Sequence, residues 1–300
     1  MIEKAHTVSE FMDIIVIVGP TGVGKTKLSI ELAKLYNAEI INGDSVSIYK
    51  KLDIGSAKPT KEEMDGVVHH LIDIRNVDEE YTIYEYQKDV RVLIEDIRNR
   101  GKNIIIVGGS GLYLKAALYD YEFNDGTTYN EYSELTNEEI LSRINKYNSS
   151  IDIHPNNRKR LVRVLNKLEN KETLGDNKNK LLYPIKIIGL TTDRELLYKR
   201  IDLRVDKMIE EGLLNEVESL KEYYNKSRVL NTAIGYKEFY SYFYNNKDLY
   251  SVISEIKKNS RHYAKRQYTF FNHQMDVNWF DVDFDSFNNT IREVENFLKK

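Results

Sequence analysis

The 300-residue chain has no cysteine, no long apolar run and no excess charge of either sign. Without cysteine there can be no disulfide, no thiolate nucleophile and no cysteine-held zinc. The first apolar run, Ile14 to Val18, is too short for the core of a signal peptide or for a membrane span, so a cytosolic protein is expected. With 44 basic against 47 acidic residues the net charge is -3, which leaves no global pull toward nucleic acid. Any anionic partner must therefore be held by local patches. Internal repeats are lacking too.

What is present is ordinary for a globular protein: 41% hydrophobic and 30% charged residues. The length suits one main domain with a smaller one inserted, and it can bury a core without covalent staples. The 22 tyrosines accompany plentiful Asn, Lys and Ile, a bias of AT-rich coding rather than a base-stacking surface.

Buried β-branched runs at Ile14–Val18, Glu39–Ile41, Ile104–Val107 and Ile185–Leu190 predict strands covered on both faces, with a further strand expected at Leu71–Ile74 and a short one at Trp279–Phe280. Helical stripes lie between them, at Lys27–Tyr36, Tyr84–Arg100 and Leu112–Leu118, with a terminal helix at Phe287–Leu298. Alternation of this kind predicts an α/β fold: a parallel, P-loop-type sheet flanked by helices. Between them the texture turns polar and Asn-rich. Residues 120–183 read as a small, mainly helical insertion with helices near Glu138–Tyr147 and Arg158–Leu168 and a polar loop at Asn170–Lys180, leaving 1–119 and 184–300 as the core.

Gly19-Pro20-Thr21-Gly22-Val23-Gly24-Lys25-Thr26 matches G-x-x-x-x-G-K-[ST] in full, after a buried strand and before a helix. Its amides form a nest for phosphate oxygens and the helix N-terminus adds the positive end of a dipole. Lys25 supplies a point charge, and the Thr26 hydroxyl can ligate Mg²⁺. The loop does not name the reaction, since hydrolases, kinases and transferases share it. A nucleotide hydrolase usually ends a buried strand with a metal-holding Asp. Here Ile104–Val107 runs into Gly108-Gly109-Ser110-Gly111, and the nearest carboxylate is Asp44, just past the second strand. That end of a parallel sheet faces the same crevice as the P-loop. Asp44 is then either a general base for an incoming nucleophile or a turn-forming Asp.

Taken in order, the P-loop, Asp44-Ser45, Asp53-Ile54-Gly55-Ser56-Ala57-Lys58-Pro59, Val107-Gly108-Gly109-Ser110-Gly111-Leu112-Tyr113, Arg204, Ala233-Ile234-Gly235-Tyr236-Lys237-Glu238 and Ala264-Lys265-Arg266-Gln267 resemble the tRNA dimethylallyltransferase family. The resemblance runs from about residue 14 to 272. It implies transfer of a dimethylallyl group from dimethylallyl diphosphate to N6 of an adenine beside the tRNA anticodon, at position 37. The P-loop would hold the prenyl diphosphate with Mg²⁺. The implied roles are Asp44 as general base, Ser110 as relay where the family usually has Thr, and Lys25 and Arg204 as grips on the diphosphate. Implied tRNA contacts are Asp44, Ser45, Val46, Ser47 and Ser110, then Lys159, Arg160 and Arg163, then Gly235, Tyr236 and Lys237, then Lys265, Arg266 and Gln267.

Two basic helices fit those contacts: Arg158, Lys159, Arg160, Arg163 and Lys167 on one, and Lys257, Lys258, Arg261, Lys265 and Arg266 on the other. Each can grip phosphates, or be a solvated face. Departures from the family pattern fall at Ser47, Asn157, Phe270 and Asn272. Prenyl transfer to free adenine nucleotides, a P-loop small-molecule kinase, and an RNA-binding protein with a decayed site are the competing readings. No membrane partner is expected, and the working unit is expected to be a monomer.

Overall fold

The structure is a computed structural model, and it describes residues 14–121, 123, 130–170 and 179–300. Six strands form one sheet: β1 (Ile14–Val18), β2 (Ala38–Asn42), β3 (His69–His70), β4 (Asn103–Val107), β5 (Ile185–Thr191) and β6 (Asn278–Asp281). All pair in parallel, in the order β3-β2-β4-β1-β5-β6. Parallel neighbours need crossovers, and the helices supply them. They are α1 (Lys25–Leu35), α2 (Lys61–Met64), α3 (Ile83–Asn99) and α4 (Gly111–Leu118) in the first part of the chain. Next come α5 (Asn137–Tyr147) and α6 (Arg158–Glu169), then α7 (Arg194–Glu210), α8 (Leu213–Glu218), α9 (Phe239–Tyr244), α10 (Leu249–Gln274) and α11 (Phe287–Leu298). Among the described residues no helix is long and apolar enough to cross a membrane.

The chain divides into two compact units, residues 1–118 with 181–300, and 119–180. In the larger unit every residue of β1 and β2 is buried, as unbroken apolar runs require when helices cover both faces. One face of the sheet packs through Ile15, Ile17, Ile40 and Ile188 against Leu28 and Leu32 of α1, with α7 and α11 closing the layer. The other face is covered by α3, whose Thr82 and Glu85 form a reciprocal capping box at its start.

The strand expected at Leu71–Ile74 is displaced. Pairing with β2 stops at His70, and Leu71 and Asp73 take left-handed backbone with φ of 61° and 56°. Asp73 turns out of the sheet to meet Lys58, whose ammonium is buried between Asp73 at 2.5 Å and Asp53 at 2.6 Å. A local ion pair thus overrides the β-propensity of the segment.

The smaller unit has its own core, Ile140 and Ile144 of α5 against Leu161 and Leu165 of α6, with Tyr132 and Ile153 beside them. Thr136 and Glu139 cap α5 reciprocally, and the Asn157 side chain caps α6 by accepting from Arg160 N. Asn caps as well as Asp, so this departure from the family pattern keeps the helix start intact. The polar loop read at Asn170–Lys180 falls largely outside the described residues.

Candidate active site

The recess opens where the C-terminal ends of β1, β2 and β4 meet. Gly24 takes left-handed backbone with φ of 95° and serves as the N-cap of α1, so the amides of the preceding loop converge before the helix begins. Val23 is wholly buried and anchors the loop in the core. Gly19 approaches β5 so closely that a Cβ there would sit 2.5 Å from Leu190 O.

Three cations converge on this loop. Lys25 Nζ donates to Pro20 O at 2.7 Å. From α7, Arg204 Nη1 donates to Thr21 Oγ1 at 3.1 Å and Arg200 Nε to Gly22 O at 3.2 Å. The Arg200 guanidinium carbon also sits over Phe284, 3.8 Å from the ring centroid. Although Lys25 keeps some surface exposure, the loop encloses its ammonium. Burial, helped by the Arg204 charge and opposed by Asp44, pulls its pKa down to about 7. Burial lowers the pKa of Arg204 as well, against Asp44, Glu63 and Glu211. Two cations held this close, neither in a direct ion pair among the described residues, make a site that gains when an anion enters.

Asp44 faces them from the end of β2. Asn42 shapes the turn: its Oδ1 accepts from Asp44 N at 3.0 Å, and its Nδ2 donates to Asp44 O and Leu71 O, each at 2.9 Å. One carboxylate oxygen of Asp44 accepts from Val46 N at 2.9 Å. The other has no hydrogen bond among the described residues. The turn-forming reading of Asp44 is seen directly in the oxygen that accepts from Val46, and the other oxygen is left open at the recess. The turn is stitched to the end of β4. Gly43 N donates to Val107 O at 2.7 Å, Ser110 N donates to Gly43 O at 3.1 Å, and Ser45 N donates to Ser110 Oγ at 3.0 Å.

A recess of about 560 Å³ joins these groups. Thr21, Lys25, Thr26, Arg200 and Arg204 line it together with Asn42, Asp44 and Ser47, Ile40, Ile72, Val107 and Leu203 add apolar surface, and Ser56, Glu63, His69 and Lys207 complete a lining of mixed polarity. Among the described residues no cluster of three or more His, Asp or Glu could hold a metal unaided. The donor set that is present, the Thr26 hydroxyl beside a phosphate nest, suits Mg²⁺ that keeps most of its shell as phosphate oxygen and water.

The implied tRNA contacts are built unequally. Lys159, Arg160 and Arg163 are exposed on α6, whereas Arg158 is used inside its own unit, donating to Tyr132 O at 2.6 Å and Leu135 O at 2.8 Å. On α10, Lys258, Lys265 and Arg266 are exposed, whereas Lys257 pairs with Asp206 at 2.6 Å and Arg261 pairs with Asp202 on α7. Two of the five cations on that face therefore belong to a helix–helix seam.

Tyr236 is not placed for RNA: its ring is fully buried and its hydroxyl donates to Glu216 at 2.7 Å. The same Glu216 accepts from the amides of Asp53, Ile54 and Gly55, so Tyr236 latches the loop that lines the recess at Ser56 and Ala57. Gly235 N is occupied by Glu238 Oε2 at 2.9 Å, and Lys237 approaches the same carboxylate at 4.0 Å. Gln267 is buried, donating to Gly109 O at 3.0 Å. Phe270 packs where a Cβ on Gly111 would need to be, and Asn272 is exposed.

Sequence reasoning left Arg200 out of the site. Arg200 stands one helical turn before Arg204, and that spacing was the available signal.

The sequence profile of the IPP transferase family matches residues 47–274. A tRNA dimethylallyltransferase of Bacillus mycoides is 46% identical over 304 residues, covering 95% of each chain. Among solved structures, the tRNA delta(2)-isopentenylpyrophosphate transferase of Staphylococcus epidermidis superposes with a TM-score of 0.74 at 38% identity, over 96% of this chain and 99% of that one. A eukaryotic dimethylallyltransferase acting on tRNA superposes at 0.79 with 30% identity, over 95% of this chain and 77% of the other. With the family profile matched over residues 47–274 and 46% identity along 95% of the chain, the chain belongs to the IPP transferase family.

Proposed function

We propose that the chain transfers a dimethylallyl group from dimethylallyl diphosphate to N6 of the adenine at position 37 of tRNA, beside the anticodon. One observation carries the reading: a single recess is lined by three cations, by apolar side chains and by a half-free carboxylate, Asp44. The P-loop amides, Lys25, Arg200 and Arg204 take the diphosphate, and Ile40, Ile72 and Val107 receive the short hydrocarbon tail. A guanidinium fork suits a diphosphate better than an ammonium does. Mg²⁺, held by Thr26 and the diphosphate, would supply further neutralisation of the leaving group.

The bond between the allylic carbon and the diphosphate oxygen breaks, and its electron pair leaves on the diphosphate. The cations stabilise that charge as it develops. The N6 lone pair forms the new C–N bond, and the N6 proton passes to the free oxygen of Asp44. The adenine must leave its stack to reach this depth. Lys159, Arg160, Arg163, Lys265 and Arg266 are exposed cations free to grip tRNA phosphates.

The test is incubation of the purified chain with labelled dimethylallyl diphosphate and either bulk tRNA or AMP. Label in tRNA supports the proposal. Label in AMP alone assigns the free-nucleotide reaction, and ATP hydrolysis or phosphate transfer without use of the prenyl donor assigns a kinase.

A further inference from the structure

Between β6 and α11 the chain makes a short loop that is tied down along its length. Val282 N donates to Thr191 O at 2.9 Å, just past the end of β6. Asp283 N donates to the buried Thr290 hydroxyl at 3.0 Å. The Asp283 carboxylate accepts from Asp285 N at 3.0 Å, Ser286 N at 2.8 Å and Asn289 Nδ2 at 2.7 Å. So many bonds within a few residues fix where the neighbouring side chains leave the backbone. Two of these are rings, Phe284 and Phe287, and both reach the phosphate site from outside the recess.

Phe287 packs on the P-loop itself. A Cβ on Gly24 would lie 2.8 Å from Phe287 Cε2, and Lys27 Nζ stands 4.8 Å from the ring centroid. Phe284 meets Arg200 of α7, whose guanidinium carbon is 3.8 Å from the ring centroid. The same guanidinium donates from Nε to Gly22 O at 3.2 Å. It is thus held at one nitrogen by the P-loop and at its central carbon by the ring. Among the described residues, its Nη1 and Nη2 make no hydrogen bond or ion pair. Arg200 lines the recess and Phe284 does not.

An arginine placed beside Lys25 and Arg204 has two reasons to swing away into water: repulsion by like charges, and the rotamer freedom of a long side chain. A ring face opposes both, because its quadrupole attracts a cation and its bulk restricts the rotamers. An arginine already in place spends less of the binding free energy on ordering when the anion arrives. Leucine at position 284 would keep most of the packing and lose the quadrupole.

Resting on the reading of prenyl transfer above, we infer that Phe284 is a positioning residue of the diphosphate site: its ring holds the Arg200 guanidinium against the P-loop and leaves both Nη groups available to the anion. Phe284 touches neither donor nor acceptor. It acts through Arg200, and a double-mutant cycle reads that directly.

The full-length chain, Phe284→Leu, Phe284→Tyr, Arg200→Met and the double variant Phe284→Leu/Arg200→Met are titrated with pyrophosphate and Mg²⁺ by calorimetry, with Tm and steady-state prenyl transfer measured alongside. Phe284→Leu weakens pyrophosphate about fivefold and lowers kcat/KM for the prenyl donor by a similar factor, while the KM for tRNA stays within about twofold. Phe284→Tyr, which keeps the ring, stays within about twofold of wild type. In the Arg200→Met background the change to leucine costs less than about twofold. Unchanged pyrophosphate affinity in Phe284→Leu overturns the assignment. So does an equal loss with and without Arg200, or a tyrosine variant no better than the leucine one. If Phe284→Leu does not fold, Phe284→Met enters the same cycle, and independence from Arg200 counts against the proposal. A wild-type chain that binds pyrophosphate yet prenylates no tRNA sinks the underlying reading instead, and the pyrophosphate cycle still decides the role of Phe284.

Discussion

Two turns in this molecule are rich in glycine, each follows a buried parallel strand and each opens a helix, yet glycine is there for different reasons. In the P-loop, Gly22 and Gly24 have φ of 86° and 95°, and at Gly22 an added Cβ would meet nothing nearer than Ile201 at 4.0 Å. At Gly22 space is available, and what glycine supplies there is a backbone that points amides inward. In the turn after β4, neither Gly108 nor Gly109 has positive φ, but a Cβ on Gly108 would lie 2.1 Å from Gly43 C. Glycine there lets the ends of β2 and β4 touch, and that contact sets Asp44 opposite the phosphate nest. One turn makes the anion site, and the other places the carboxylate.

The largest effect is expected where the second turn ends its work. Asp44→Asn should lower kcat by roughly 10²–10⁴ with pyrophosphate affinity nearly unchanged, because it removes a base and no cation. Single-turnover assays beside calorimetry check this, and a near-normal rate would return Asp44 to turn formation alone.

Paired glycine substitutions sharpen the comparison. Gly108→Ala forces backbone against backbone and should cost roughly 1–3 kcal/mol or more of stability. Gly22→Ala should cost about 1–2 kcal/mol from left-handed strain and act mainly on anion binding. Thermal unfolding with and without pyrophosphate separates them. If pyrophosphate protects Gly22→Ala as strongly as wild type, the nest does not depend on that backbone.

A pH effect comes next. In the free protein burial holds Lys25 near 7, and a bound diphosphate raises it. Below pH 7 the ammonium is already charged, so affinity is flat. As pH rises through about 7, binding must take up a proton, and pyrophosphate affinity should fall by up to about tenfold per unit until the bound-state pKa is passed. The same depressed pKa means that folding bears the cost of burying the ammonium below pH 7 and is relieved of it as pH rises toward 10.5. Lys25→Met should therefore gain stability at pH 6, more than at pH 9, while losing the pH dependence of pyrophosphate binding. Calorimetry in two buffers of different ionisation heat reads the proton uptake directly, and zero uptake at pH 8 rules out Lys25 as the coupled group.

The smallest effect concerns the exposed cations of the smaller unit. Neutralising Lys159, Arg160 and Arg163 should flatten the salt dependence of tRNA affinity by roughly 0.7–0.9 in log–log slope for each lost phosphate contact, with donor binding untouched. Arg158→Ala should instead lower stability, since its guanidinium holds Tyr132 O and Leu135 O. Equal slopes for the triple variant and wild type would make α6 a solvated face.

How far the site could be read from sequence varied with the range of the forces. The phosphate nest was legible because strand, loop and helix are contiguous and their period and glycine spacing are local. Leu71–Ile74 misled because its apolar pattern is real, but Asp73 is drawn off the sheet by Lys58. Tyr236 misled in the opposite direction: a motif shared with RNA-modifying relatives looked like a contact surface, and its ring proved to be the latch on Glu216. Basic residues on α10 were alike in sequence, and acidic residues of α7 opposite them decided which were spent.

By itself, then, the sequence determined the parallel α/β sheet, the anion nest from Gly19 to Thr26 and a carboxylate near it, since each depends on neighbours within a few residues. Only the tertiary structure decided that Arg200 and Arg204 reach that nest from 178 and 183 residues away. It also decided that Gly43 and Gly108 pack backbone to backbone, and that Tyr263 and Gln267 of α10 reach Gly109 O. A side chain's partner is set by what lies across from it, and what lies across is a property of the packed sheet and its helices.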